Sequence, residues 1–415
     1  MATPTRTAAD PTVGGPGLAF HGWRIVAVFA ITQTIGYGTL YYAFAVLLHP
    51  IAVDLHASPA AVTGALTTAI LAWAAAAVPV GRWLDRHGGR AIMTTGAAAG
   101  ALLLVAWSQV HSVTQLYLVF AGLGVAMAMA LYEPATAVIV SWFDPARRSR
   151  ALLAMIVVAG FASTIFMPLT GYLESRHGWR TTLLILAAVY AATAIPLHAT
   201  VVRRPPHARP SARPAADKAR ADIVRAARRD PRFWFLAVAF IAHSAAMSTM
   251  TVHLVGFLTD AGHPATFAAT IAGLLGVLSV TGRLLLTGAQ RRISLTALVA
   301  AIFTIQAVAA ITLPLLAGTR LGAAAGVTAF GIGFGVASLA APALLADRYG
   351  TSAYATIAGT LAAPVTLAKA AAPLGAAALL AATGGYPPLL AAIGVACVIA
   401  AAGILARART PAPRR

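Results

Sequence analysis

The sequence predicts an all-α membrane protein of twelve transmembrane helices, arranged as two six-helix bundles with both termini on the cytoplasmic side. Three observations lead there. Of 415 residues, 59% are hydrophobic and 10% charged, against about 25% charged in ordinary soluble domains. The apolar residues fall into twelve runs, each near the ~20 residues that a helix needs to cross a bilayer. The basic residues gather on one side of those runs, as cytoplasmic loops require.

Gly, Pro and charged residues punctuate the runs. The first six spans are expected at 23–48, 60–80, 91–110, 116–142, 151–173 and 181–201. The second six are expected at 233–258, 265–286, 294–316, 321–346, 353–381 and 386–406. Arg82, Arg86 and Arg90 close span two, and Arg147, Arg148 and Arg150 precede span five. Arg176 and Arg180 separate spans five and six, and Arg291 and Arg292 follow span eight. Arg348 follows span ten, and Arg407, Arg409, Arg414 and Arg415 follow span twelve. With the N-terminus inside, 25 of the 30 basic residues are cytoplasmic, three are external and two lie within spans. The net charge of +19 is therefore a topology signal and not a nucleic-acid footprint.

The division expected is a cytoplasmic tail over 1–22, a first bundle over 23–201, a cytoplasmic linker over 202–231, a second bundle over 232–406 and a tail over 407–415. The linker is rich in Arg, Pro and Ala and reads as a solvated connection with a surface helix over 215–229. Weak internal symmetry supports two repeats: Trp23 and Trp234 open spans one and seven, and Gly81-Arg82 is echoed by Gly282-Arg283. Paired repeats of this kind belong to transporters that rock about a midplane site.

Enzymatic classes lack support. Cys397 is the single cysteine, which excludes a disulfide within the chain or a cysteine metal site. No HExxH, P-loop, paired acids or histidine cluster is present, so neither catalysis nor a cofactor or metal is expected. The first twenty residues contain no apolar leader segment, and a multi-pass protein of a bacterial inner membrane is the expectation, as a monomer.

The stretch "GRWLDRHGGR", residues 81–90, resembles the loop signature of the major facilitator superfamily, Gly-x-x-x-Asp-Arg-x-Gly followed by basic residues. Gly81, Asp85, Arg86, Gly88 and Arg90 match, and Gly89 stands where a basic residue is usual. The resemblance implies the major facilitator fold and gives this motif a gating role, with Asp85 touching a neighbouring helix end to latch the outward-open state. The counterpart "LTGAQRRIS" has lost the acid and carries no such implication. "GWRIVAVFAITQTIGYGTLYYAF" in span one and the segment from Trp142 to Arg180 are similar to the monocarboxylate-transporter and oxalate/formate-antiporter branch. That branch implies a small organic anion, mono- or dicarboxylate, as cargo, carried by exchange or proton coupling. A proton-coupled efflux pump for amphipathic compounds is the alternative.

Ionisable residues at bilayer depth cost about 2.5–3.5 kcal/mol each and so mark candidate sites. Arg283 is about 12 Å of helix from Arg291; it either snorkels to the inner headgroups or matches the branch's span-eight arginine, which grips the substrate carboxylate. Lys369 is one of two lysines, about 30 Å of helix from Arg348 and about 22 Å from Gly384, beyond the reach of snorkelling. It resembles the antiporter branch's span-eleven lysine; otherwise it pairs with Glu133. Glu133, before Pro134, reads either as a proton-coupling carboxylate or as a structural partner of Arg147, Arg148 or Arg150. Tyr37, Tyr41 and His243 are further substrate-binding candidates, the two tyrosines being one turn apart. Ser279 stands where the monocarboxylate transporters carry an Asp, and their span-one lysine has no equivalent near Tyr41, so Arg283 with Lys369 leans toward the antiporter branch. Spans three, six, nine and twelve hold no Asp, Glu, Arg or Lys, which matches the lipid-facing place that the resemblance implies for them.

Overall fold

A computed structural model of the chain describes residues 16–205 and 214–409. Arg6, Arg414 and Arg415, the first part of the N-terminal tail, the end of the C-terminal tail and linker residues 206–213 lie outside the described residues. Within them the regular elements are helices. Span one comprises α1 (Pro16–Tyr37), a π-helical turn (Gly38–Tyr42) and α2 (Ala43–Asp54); spans two and three are α3 (Pro59–His87) and α4 (Gly89–Ser108). Span four is broken into α5 (Val113–Ala130) and α6 (Tyr132–Trp142). Span five is α7 (Pro145–Ala159) and the start of α8 (Ala162–Val201), whose remainder is span six. After the linker helix α9 (Pro214–Arg229) come α10 (Pro231–Asp260), α11 (Ala265–Ala289) and α12 (Leu295–Leu316) as spans seven to nine. Span ten is broken into α13 (Arg320–Gly331) and α14 (Val336–Tyr349), and α15 (Tyr354–Thr383) and α16 (Tyr386–Arg409) complete the set.

Among the described residues, eleven helical segments are long and apolar enough to cross a membrane, and one of them crosses twice. Pro145–Val201 runs for 57 residues, far more than a single crossing takes at 1.5 Å per residue. The chain reverses inside it at Gly178, φ 74° and ψ 164°, a left-handed backbone that glycine adopts without a Cβ penalty. Twelve crossings result.

Local sequence sets the helix ends. Ser58, Asp144 and Asp230 each cap a helix through a side-chain oxygen and are each followed by Pro at the first position, where the missing N–H does no harm. Gly88, φ 77°, makes the turn from α3 into α4. The motif expected in the loop after span two is therefore helical as far as His87, and only Gly88 is turn. The surface helix expected over 215–229 is α9, with Ala227 buried. Spans three, six, nine and twelve expose aliphatic side chains, among them Leu102, Val189, Val308 and Val398, as a lipid-facing wall requires.

The two sets of six helices meet mainly through α3 with α15, through α7 with α14 and α11, and through α6 with α14 and α15. The cytoplasmic half-helices α6, α7 and α14 all take part, whereas the outer half-helices α2 and α13 pack chiefly within their own sets. A Cβ at Gly81 would strike the Ala355 backbone, and one at Gly359 would strike that of Ala77, so α3 and α15 touch backbone to backbone. Arg148 and Asp347 add an ion pair of 3.5 Å across the same end. The cytoplasmic end is closed.

Candidate transport site and cytoplasmic gate

Asp85 ties the closed cytoplasmic end together. One carboxylate oxygen accepts the backbone N–H of Ala355 at 2.9 Å and the other accepts that of Thr356 at 2.8 Å. These N–H groups belong to the first turn of α15, where helix donors have no internal partner and the dipole favours an anion. Arg86 pairs with Asp217 of α9 at 3.2 Å, and its carbonyl accepts from Arg204. Arg90 is exposed, with its carbonyl taken by Thr94.

Above the gate, both intramembrane cations border the space between the halves. Arg283 does not run along α11 toward Arg291. Its Nε donates to the Gly335 carbonyl at 3.2 Å and to Ser338 Oγ at 3.3 Å, at the break of span ten. Its Nη1 lies 3.7 Å from where a Cβ on Gly160 would stand, and it is within electrostatic range of Tyr42 and Tyr132. Arg283 thus reaches from the second half to the first. Lys369 is exposed, within electrostatic range of Glu133 and His243, on a stretch of α15 whose Leu367 and Leu374 are also exposed. The two cations have different neighbours.

Glu133 sits in the first turn of α6. With Trp73, Ala77, Gly81, Leu84, Ala355 and Gly359 it lines a small cavity in the seam between α3 and α15. Its Oε2 is buried without a hydrogen-bond partner. Arg148, weighed as its partner, is taken by Asp347. No ion pair of Glu133 is present among the described residues.

Tyr37 and Tyr41 belong to an aromatic cluster. The Tyr37 ring lies 5.1 Å from that of Tyr132, 6.3 Å from those of Tyr41 and Trp73, and 6.4 Å from that of Tyr42. The π-turn over Gly38–Tyr42 shifts the helical register so that Tyr41 and Tyr42 both join this group; π-bulges recur at functional sites. His243 is placed differently. It is 1% exposed, stacks on Phe303 at 4.2 Å and meets Gln306 Oε1 at 3.1 Å, behind the cavity wall.

Sequence reading missed Tyr132, Trp73 and the helix breaks. Two signals were available: "YEP" at 132–134, with Pro three positions into α6, and the alternating glycines of "GIGFG" at 331–335. Both breaks receive a buried glutamine. Gln33 donates to the Ala130 carbonyl at 2.9 Å, and Gln306 donates to the Phe330 carbonyl at 2.8 Å. Each fills an acceptor that an interrupted helix leaves open.

Comparison with known proteins agrees with this architecture. The family model described as Major Facilitator Superfamily matches residues 26–373. The probable nitrate/nitrite transporter NarK2 of Mycobacterium tuberculosis is 30% identical over 220 residues, covering 50% of this chain and 53% of that protein. Monocarboxylate transporter 4 of Mus musculus is 29% identical over 213 residues, covering 48% and 43%. The uncharacterized MFS-type transporter YcxA of Bacillus subtilis is 28% identical over 188 residues, covering 44% and 45%. The chain thus spans about half the length of the relatives it matches. Among solved structures, the transporter FucP in its outward conformation superposes with a TM-score of 0.71 at 13% identity, covering 93% of this chain and 99% of that one. The human organic anion transporter MFSD10 superposes with a TM-score of 0.66 at 16% identity, covering 95% and 99%. At these identities the superpositions speak for the fold.

Proposed function

Because the chain belongs to the major facilitator superfamily, a family of membrane transporters rather than enzymes, we propose that it moves a small organic anion, a mono- or dicarboxylate, across the cytoplasmic membrane by alternating access. The observation that carries this reading is the pair of cations, Arg283 and Lys369, on a cavity closed toward the cytoplasm by Asp85. A guanidinium presents parallel N–H donors that match a carboxylate. The aromatic rings opposite it provide an apolar wall for the rest of a small molecule. Two relatives are named for nitrate/nitrite and monocarboxylate, both small anions.

In this reading the anion enters from outside and neutralises the two cations. Binding energy that appears only when both halves close on the anion then drives the change of access. Glu133 is the coupling carboxylate: it lines the seam that must part for the cytoplasmic side to open. The aromatic cluster would also suit an amphipathic compound, which is the efflux reading. Purified protein in proteoliposomes preloaded with unlabelled oxalate or lactate should accumulate the labelled anion by counterflow. Absence of counterflow with carboxylates, together with transport of an amphipathic cation, would replace this proposal by the efflux one.

A further inference from the structure

The break of span ten is a row of seats. Gly331, Gly333 and Gly335 alternate, and a different side chain fills the place of each missing Cβ. Leu278 lies 2.5 Å from a Cβ on Gly331, the Gln306 amide is in contact with one on Gly333, and Arg283 Nε lies 2.5 Å from one on Gly335. The Ser279 carbonyl is equally close to the last position. Ser338, one turn into α14, donates to the Gly335 carbonyl at 2.7 Å and accepts from Arg283.

The Arg283 Nε carries a single hydrogen, and it is shared between Gly335 and Ser338. The Nη groups have no hydrogen-bond acceptor among the described residues. Of the edges a guanidinium offers to an anion, the side that includes Nε is occupied and the end formed by the two Nη groups is free. That end points to the first half, toward Gly160, Tyr42 and Tyr132. A free Arg side chain has large rotamer freedom, so holding the fork in one direction removes an ordering penalty from binding.

We propose that Gly335 and Ser338 are positioning residues for substrate recognition: they tie down Arg283 through Nε so that an oxyanion is taken end-on by the two Nη groups, between the halves. The inference rests on the anion reading of Arg283. It makes the break of span ten part of the recognition machinery, because an anion pulling on the fork pulls on the Gly335 carbonyl as well. The missing Cβ at 335 makes room for both Arg283 Nε and the Ser279 carbonyl, whereas the hydroxyl at 338 matters to the fork only while an arginine occupies 283.

A double-mutant cycle on full-length protein tests this. Binding of radiolabelled oxalate and lactate is measured in detergent, with nitrate as a competitor. Gly335→Ala, whose Cβ would displace Nε, should weaken binding about tenfold or more, and Ser338→Ala about three- to tenfold, the scale of one ordinary lost hydrogen bond. Ser338→Thr, which keeps the hydroxyl, should restore most of the affinity. In an Arg283→Lys background, which lacks Nε, Ser338→Ala should have no further effect, and Gly335→Ala should cost less than it does beside arginine, keeping only its contact with the Ser279 carbonyl. Melting temperature and the reactivity of a gate cysteine at Ala358 report folding and gate closure separately. If Gly335→Ala does not fold, the Ser338 pair decides. Losses of the same size in both backgrounds, or no loss in either, would overturn the positioning role while leaving Arg283 as the anion site. Unchanged binding in Arg283→Ala, or a wild type that binds none of the three probes, would remove the anion reading and this inference with it.

Discussion

Asp85→Asn isolates the gate from the transport site. In the closed cytoplasmic end the carboxylate accepts two backbone N–H groups of α15 at 2.9 and 2.8 Å. Hydrogen bonds to a charged group are worth about 1.5–3 kcal/mol each. Asparagine keeps one acceptor oxygen, turns an NH2 toward the second donor and gives up the favourable charge at the helix N-terminus, itself worth about 0.3–1 kcal/mol. The closed state should therefore lose about 2–3 kcal/mol relative to a state in which α3 and α15 have parted and water solvates residue 85. At 1.4 kcal/mol per decade, the ratio of outward- to inward-facing protein should fall about 30- to 150-fold. Ala358, which lines the seam cavity, replaced by cysteine in a Cys397→Ala background, should react faster with an impermeant maleimide from the cytoplasmic face. Substrate transport should slow, with affinity measured in detergent unchanged within a few-fold. An unaltered labelling rate would remove the latch from Asp85. A large, selective loss of binding with normal cycling would assign the residue to the site instead.

The same seam predicts that Gly81→Val, whose Cβ meets the Ala355 backbone, raises labelling at position 358 at least as strongly as Asp85→Asn and slows transport to match; labelling at the wild-type rate would contradict the contact. Glu133→Gln should abolish accumulation driven by a pH gradient while sparing exchange of labelled for unlabelled anion, and intact pH-driven uptake would leave Glu133 structural or transport uncoupled from it. Lys369→Met removes a charge from bilayer depth, so the protein should fold at least as well, yet carboxylate binding should weaken tenfold or more, about 1.4 kcal/mol. Lys369→Arg should recover only part of that, because a planar fork differs from an ammonium. Wild-type affinity in Lys369→Met would take that residue out of the site.

The spans and their orientation were legible because each rests on a local pattern: apolar length and flanking arginines. The contact that Asp85 makes with α15 was foreshadowed by Gly and Asp at fixed spacing, and Arg283 and Lys369 drew notice as candidates because charge at bilayer depth demands a reason. What stayed hidden depends on neighbours far along the chain. Nothing near His243 announces that Gln306, 63 residues on, meets it with Phe303 stacked alongside. Tyr132 drew no notice in the sequence, because only the fold brings its ring to 5.1 Å from that of Tyr37. Glu133 was weighed against the arginines nearest in sequence, whereas Arg148 is claimed by Asp347 of the opposite half. The boundary between spans five and six was readable from Gly-Trp-Arg at 178–180, since only the glycine tolerates the reversal there.

The two helix breaks show how one repeated plan yields unlike halves. Spans four and ten occupy corresponding places, and each stops near the midplane and restarts with a new helix N-terminus, at Tyr132 and at Val336. A fresh N-terminus favours negative charge. At α6 the chain supplies that charge itself, through Glu133 in the first turn. At α14 the first turn holds no acid, and Arg283 stands beside it with its free edge turned outward. The first half therefore brings an internal carboxylate and a wall of aromatic rings, and the second brings a cation. In the proposed reading, an anion that bridges them satisfies Arg283 only when the halves are close, whereas the Glu133 seam opens only when they part on the cytoplasmic side. The proposed substrate and the proposed coupling residue then act on opposite sides of the same rocking motion, which is what alternating access demands of them.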